Sequence, residues 1–131
     1  MVTITIGGFT VKAEVASTKE QLTIGLSNRD RLAYDEGLLL VLPKEGRIPI
    51  TMRDMRFPIS VLFFNHNLRI TETWDLFPGE VFTPFYKWQF ALEVKGFAPT
   101  IPYDFARISD GPLPSSSSFS SDYAPDLGQT L

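Results

Sequence analysis

Arg47, Arg53, Asp54 and Arg56 form the densest group of side chains in this chain with types and spacing suited to chemistry. Guanidinium groups hold carboxylates and phosphates through paired N–H donors. On an extended backbone alternate residues share a face, so Arg53 and the residue two positions on can converge. These four residues are the candidate ligand-binding set, and the chemistry would be recognition of a small anion. The same charges also suit simple surface pairing, with Arg53 and Arg56 facing Asp54 and other acids.

Other polar groups carry less. His66 is the only histidine. One histidine cannot build a two-histidine metal site, and within Asn65-His66-Asn67 it reads as a polar turn residue. Asp35 with Glu36, and Glu72 with Asp75, are the nearest carboxylate pairs, but acid–base work needs facing groups with separated pKa values, which spacing alone does not provide. Ser115–Ser118 has neither the strand-to-helix elbow of a nucleophile nor a paired base. Gly7-Gly8 lacks the remainder of a phosphate-binding loop. The chain has no cysteine. Thiol catalysis, cysteine-held zinc, iron–sulfur clusters and a disulfide framework are thereby excluded. No catalytic residue, metal ligand or cofactor motif is assigned, and the chain reads as a non-enzyme.

The elements that must position these residues are mainly strands. Val2, Ile4 and Ile6 alternate with threonines, Gly7-Gly8 marks a turn, and Phe9, Val11, Ala13 and Val15 alternate again, which predicts a hairpin with one buried face. Ser17-Thr18-Lys19-Glu20 fits a capping box with Ser17 as cap and Glu20 reaching back. A short helix over 18–26 follows, with Leu22 and Leu26 on its apolar side. Leu38–Leu42 is an apolar run stopped by Pro43, the mark of a buried strand, with 44–46 as a turn. Ile48, Ile50 and Met52 alternate, and Pro49 makes that strand an edge or a bulge. Ile59–Phe64 and Leu68–Trp74 flank the Asn-His-Asn turn as a second hairpin. Residues 75–87 are rich in Phe, Tyr, Pro and Gly. The aromatics from Trp74 to Trp88 read as core, with a recognition face as the other option. Only Lys87 interleaves them, so base stacking is not expected. Residues 89–94 form a further strand, 97–104 a loop, and 105–108 a last short strand.

Bulk properties agree with one folded domain and a tail. The 131 residues are 44% hydrophobic and 21% charged, with eleven Phe, two Trp and four Tyr. A chain of this length buries roughly two-thirds of its unfolded surface and needs no metal or disulfide to fold. The net charge of −3 argues against nucleic acid, which needs a cationic face. No apolar run approaches the roughly 18 residues that span a bilayer. The N-terminus lacks the basic and continuously apolar regions of a signal peptide, so a cytoplasmic or virion setting is expected. From Gly111 the composition turns to Ser and Pro. Residues 1–110 are expected to fold and 111–131 to form a flexible arm, in which Phe119, Tyr123 and Leu127 are isolated anchors for a partner. There is no internal repeat.

Several segments, taken in order, resemble one family. They are Glu14–Gln21, Gly25-Leu26, Asp35–Leu39, Met52-Arg53-Asp54, Phe57-Pro58-Ile59, and Leu92-Glu93-Val94 with Gly96-Phe97. Together they are similar to the DUF192 (UPF0127) family over residues 11–110. The resemblance implies a small, mostly β domain with one short helix near the N-terminus, and it implies no particular activity. Related domains occur in bacteria, archaea and phage genomes, often behind a secretion signal. Where family members carry Trp-Met-Lys-Asn this chain has Thr51-Met52-Arg53-Asp54, and where they carry Pro-Leu-Asp it has Pro58-Ile59-Ser60. It therefore resembles a divergent member without a signal peptide.

The expected fold is mainly β, a compact β-sandwich or barrel-like domain with one short N-terminal helix. The expected role is protein–protein contact or self-assembly, as an accessory or virion-type structural component. The alternative is a small-ligand or anion-binding domain built on Arg47, Arg53 and Arg56 with Asp54.

Overall fold

A computed structural model describes residues 1–95 and 106–109. The loop expected over 97–104, the arm 111–131 and its anchors Phe119, Tyr123 and Leu127 lie outside the described residues.

Period-2 alternation produces the first hairpin. β1 (Val2–Ile6) pairs antiparallel with β2 (Phe9–Ala16), Ile6 opposite Phe9 and Val2 opposite Ala13. Gly7 closes the turn at φ +57, a left-handed backbone that glycine adopts without a Cβ clash. α1 (Lys19–Ile24) follows, and its capping box sits one residue later than the sequence suggests. Thr18, not Ser17, is the cap. Its hydroxyl accepts from the Gln21 amide at 3.2 Å, and the Gln21 side chain accepts from the amides of Ser17 and Thr18. Both frames offer a hydroxyl with a Glu or Gln three residues on, so the motif alone could not choose between them.

The helix is a crossover. It returns the chain so that β3 (Glu36–Gly46) lies parallel to β2, from Lys12 opposite Glu36 to Ala16 opposite Leu40. β4 (Ile50–Thr51), β5 (Ile59–Phe64), β6 (Ile70–Leu76), β7 (Val81–Phe82), β8 (Trp88–Lys95) and β9 (Arg107–Ser109) complete the order. Seven strands form one sheet in the order β6-β5-β8-β3-β2-β1-β9, and β4 pairs with β7 apart from it.

The sheet curls until its ends meet. The Ala106 amide, just before β9, donates to the Leu68 carbonyl, just before β6, at 2.9 Å. Curling produces two apolar layers. The inner one gathers Ile4, Val11, Leu39, Leu62, Phe64 and Leu92. The outer one gathers Leu22, Leu26, Leu40, Val61, Phe63 and Trp88, beneath α1 and the β4–β7 pair. Every residue of β5 is buried because the strand lies between both layers, and this explains its unbroken apolar run. Of the two expected architectures, the fold is the barrel-like one.

The helix ends at Ile24 rather than at 26, and three strand boundaries differ from the sequence expectation in ways that have a local cause. β3 passes Pro43 and continues through 44–46, because the ladder to β8 shifts register between Val41 and Gly46, where proline's missing N–H is not required. β4 keeps only two residues of the strand expected over 48–52. β6 begins at Ile70 rather than Leu68, and Leu68 itself has a positive φ of 62.

Gly37 shows why β3 begins as it does. A Cβ there would stand 2.8 Å from the Glu93 carbonyl oxygen and 3.0 Å from Val11 Cγ1. The first contact is with backbone of the neighbouring strand, which cannot swing aside. Gly37→Ala is expected to cost about 2 kcal/mol through overpacking, read as a lower denaturation midpoint with the m-value unchanged. A neutral effect would show that the β3–β8 seam opens easily.

Candidate functional site

The side chain best placed for chemistry is one that sequence reasoning left unassigned. Glu93 sits in mid-β8, opposite Leu38 of β3 and Val61 of β5. It is 5% exposed, and among the described residues no hydrogen bond reaches its carboxyl group. Buried carboxyl groups are ordinarily paired, so this one is unusual. It lines a cleft under the C-terminal end of α1, formed by Leu22, Gly25 and Leu26 on one side and Thr51, Met52 and Met55 on the other. The cleft is narrow: its 280 Å³ of non-atom space includes open solvent, and over the whole of it the centre of a water molecule fits within only about 10 Å³, room for roughly one water.

Burial in this apolar setting pushes the Glu93 carboxyl up to about 7, and the Arg29 guanidinium pulls back against that rise. Arg29 is itself held by Glu14 at 2.6 Å. The Thr23 hydroxyl in the cleft wall is spent on the Lys19 carbonyl. Glu93 thus titrates near neutrality, with no hydrogen-bond partner among the described residues. A signal for it was present in the sequence. Phe90-Ala91-Leu92-Glu93-Val94 has no wet face, so a strand of that composition is covered on both sides and its one acid must be buried with it.

The four residues singled out from the sequence do not meet at one centre. The Arg47 Nε donates to the Pro84 carbonyl at 2.9 Å. Arg56 pairs with Asp30 at 2.5 Å. Arg53 and Asp54 lie 3.9 Å apart on the surface. The Met55 amide donates to the Met52 carbonyl, so the chain turns between them and strand alternation ceases where convergence required it.

The aromatic stretch divides. Trp88 is fully buried, whereas Trp74, Phe77, Phe85 and Tyr86 are 39%, 53%, 66% and 60% exposed. The expectation that this stretch is core is corrected for these four. Glu72 is the cause. Its carboxylate accepts from Trp74 Nε1 at 2.7 Å and from the amides of Phe85 and Tyr86 at 3.2 and 2.8 Å. It fastens the loop before β8 against β6 and fixes the rings outward, with Trp74 stacked 5.0 Å from Phe82 and 5.8 Å from Phe85. Asp75, the other member of that carboxylate pair, accepts from the Ser60 hydroxyl at 2.6 Å. Neither faces the other as an acid–base pair would.

His66 lies in the turn after β5. Its amide and Nδ1 both meet Glu45, at 2.8 and 2.9 Å, and the side-chain hydrogen bond holds the Glu45 carboxyl below its ordinary value, with burial opposing. Among the described residues no three His, Asp or Glu side chains gather as a metal site, and no helix is long and apolar enough to cross a membrane.

Comparison with known proteins gives a family and a fold. No curated protein matches the chain. A crystal structure of a protein of unknown function from Novosphingobium aromaticivorans shares 20% identity, with a TM-score of 0.68 over 81% of this chain and 82% of that one. A protein from Sinorhizobium meliloti, provisionally named a transcription regulator, shares 18% identity, with a TM-score of 0.71 over 82% of this chain and 91% of its own. At these identities the likeness is one of fold. The family model for DUF192, described as uncharacterized ACR, matches residues 2–98, so the chain belongs to the DUF192 family.

Proposed function

We propose that this domain acts by protein–protein contact and not by catalysis. The observation that carries the reading is the exposure of Trp74, Phe77, Phe85 and Tyr86, with Glu72 holding the Trp74 ring and the backbone of Phe85 and Tyr86, and Glu80 holding the Phe77 amide. Exposed aromatic rings already fixed in place lose little entropy on docking, which is the character of interface anchors. Charges of both signs border these rings: Asp75 and Glu80 are exposed near Trp74 and Phe77, whereas Lys87 follows Tyr86 and Arg47 bonds to Pro84 beside Phe85. The partner that fits is a different protein presenting an apolar centre for the rings, with basic groups on its rim that meet Asp75 and Glu80. The arm with Phe119, Tyr123 and Leu127 belongs to the same proposal as a second point of attachment, in an accessory or virion-type assembly within a cytoplasmic or virion setting. The anion-binding alternative has less support, because Arg47 and Arg56 are committed to separate partners.

The test is selection from a random peptide library on the immobilised full chain, with sedimentation velocity alongside. Enrichment of peptides rich in aromatic and basic residues, weakened at least tenfold by the paired change Trp74→Ser and Phe85→Ser, is the expected result. Enriched peptides that bind the changed protein equally well would overturn it. So would an absence of enrichment, or reversible self-association abolished by the same changes.

A further inference from the structure

We propose that the groove between Tyr86 and the start of β6 receives an acidic side chain, Asp or Glu, from the same partner that the exposed rings anchor. This rests on the contact reading above and adds to it the chemistry that the partner carries at this end of the surface.

The groove is lined by Asn65, Arg69, Ile70, Thr71 and Tyr86 and holds about 380 Å³ that water can enter, within the range of small-ligand sites. Ile70 is almost fully buried, so the surface an incoming group meets is mainly that of the other four. Their hydrogen-bonding capacity is one-sided. The Asn65 side-chain oxygen is spent on the amides of Asn67 and Arg69, at 2.9 and 3.1 Å. Those two donors also fix which end of the Asn65 side chain is oxygen, so its NH2 group is the end left over. The Thr71 hydroxyl donates to the Phe63 carbonyl at 3.3 Å. The Asn65 NH2 and the Tyr86 hydroxyl have no partner among the described residues. Arg69 is the one charged residue among the described residues of the lining, and a guanidinium has five N–H donors, enough to serve more than one acceptor. Donors outnumber acceptors in this wall, and a carboxylate suits them.

The surrounding charges limit the anion to a small one. Lys87 follows Tyr86 and lies close enough to act on Glu45, whose carboxylate grips the amide and ring of His66 beside Asn65. A second cation thus flanks the groove. Glu72 lies nearby as well, through its bond to the Tyr86 amide at 2.8 Å. A polyanion such as nucleic acid would run against Glu45, Glu72 and the net charge of −3, whereas a single carboxylate meets the donors of the groove wall.

Position ties the groove to the rings. Tyr86 belongs to both, and Phe85 beside it lies 5.8 Å from Trp74. Arg69 precedes Trp74 by five positions, about 16 Å of extended chain. An extended partner segment that covers Trp74 and Phe85 therefore carries its acid within about five residues of the group that meets those rings.

The first measurement is a ¹H–¹⁵N NMR titration of the full chain with Nα-acetyl-glutamate N-methylamide, with the glutamine derivative as the uncharged control. Saturable shifts of the Asn65 NH2 and Arg69 Nε–H signals are expected with the glutamate derivative. Binding about tenfold weaker is expected for the glutamine derivative, and for the glutamate derivative in Arg69→Gln. No shift with the glutamate derivative, or equal shifts with both, would overturn the proposal whatever the rings bind. The second measurement repeats the peptide selection on Arg69→Gln. Peptides enriched on the unaltered chain should carry Asp or Glu within about five residues of an aromatic residue. On Arg69→Gln the aromatic preference should remain and the acidic one disappear. Aromatic enrichment without an acidic preference, or an acidic preference that survives Arg69→Gln, would overturn the proposal and leave the ring contacts standing. No aromatic enrichment at all would overturn the contact reading and with it the shared partner, while the glutamate titration still reports on the groove itself.

Discussion

Trp88→Ala is expected to remove about 4 kcal/mol, the largest loss from any single side chain in this fold. Trp88 is fully buried and closes the outer apolar layer at the start of β8. Its ring meets Phe63 edge-on at 5.5 Å, and Phe63 in turn lies 6.0 Å from Phe82, so Trp88 backs the ring through which the main sheet meets the β4–β7 pair. Its Nε1 donates to the Ile48 carbonyl at 2.9 Å and fixes the approach to β4. Alanine would leave a cavity of indole size and a carbonyl deprived of its donor, and both effects act in the same direction. Folded domains of this size hold roughly 5–15 kcal/mol in total, so the variant should be close to unfolding at 37 °C. Trp88→Phe separates the contributions, because it fills most of the space and loses only the hydrogen bond; a loss of about 1–2 kcal/mol is expected. Guanidinium denaturation followed by far-UV circular dichroism measures both, without relying on the fluorescence that the substitution removes. An alanine variant within 1 kcal/mol of the parent would mean that the β4–β7 pair is not anchored through this ring.

Much of this fold was legible because its strands obey local rules. The first hairpin follows from strict alternation about Gly7-Gly8, and β5 and β8 follow from apolar runs too short for helices. The parallel pairing of β2 with β3 was hidden, since it depends on where α1 sets the chain down and not on either strand alone. Pro43 misled because its usual meaning assumes an intact ladder, and the ladder shifts register between Val41 and Gly46. The candidate sites divide along the same line. Arg47, Arg53, Asp54 and Arg56 are near one another in sequence, but a turn at 52–55 separates their directions. The exposure of Trp74 and Phe85 rests on three hydrogen bonds to Glu72, two of them from residues thirteen and fourteen positions away along the chain, and composition carries no trace of these. Glu93 was recoverable from its neighbours, but only by asking what a single acid must do when both faces of its strand are covered.

Raising the pH from 5 to 8 is expected to destabilise the protein, and Glu93 is the reason. Its folded-state pKa is raised to about 7 from an ordinary 4.5, chiefly by burial. Below pH 4.5 folded and unfolded chains both hold the proton, and the contribution to stability is fully present. Between 4.5 and 7 the unfolded chain releases the proton while the folded chain retains it, so each step upward favours unfolding. Above 7 both are ionised and the loss is complete, at about 3 kcal/mol. Glu45 runs the opposite way: its lowered pKa adds stability that is lost on acidification through its own range. The window from pH 5 to 8 covers the Glu93 transition. Glu93→Gln should flatten the profile there and exceed the parent in stability at pH 8, because an uncharged amide replaces a buried charge. Urea midpoints taken at half-unit pH intervals would show this, and a parent slope that persists in the Gln variant would assign the pH dependence elsewhere.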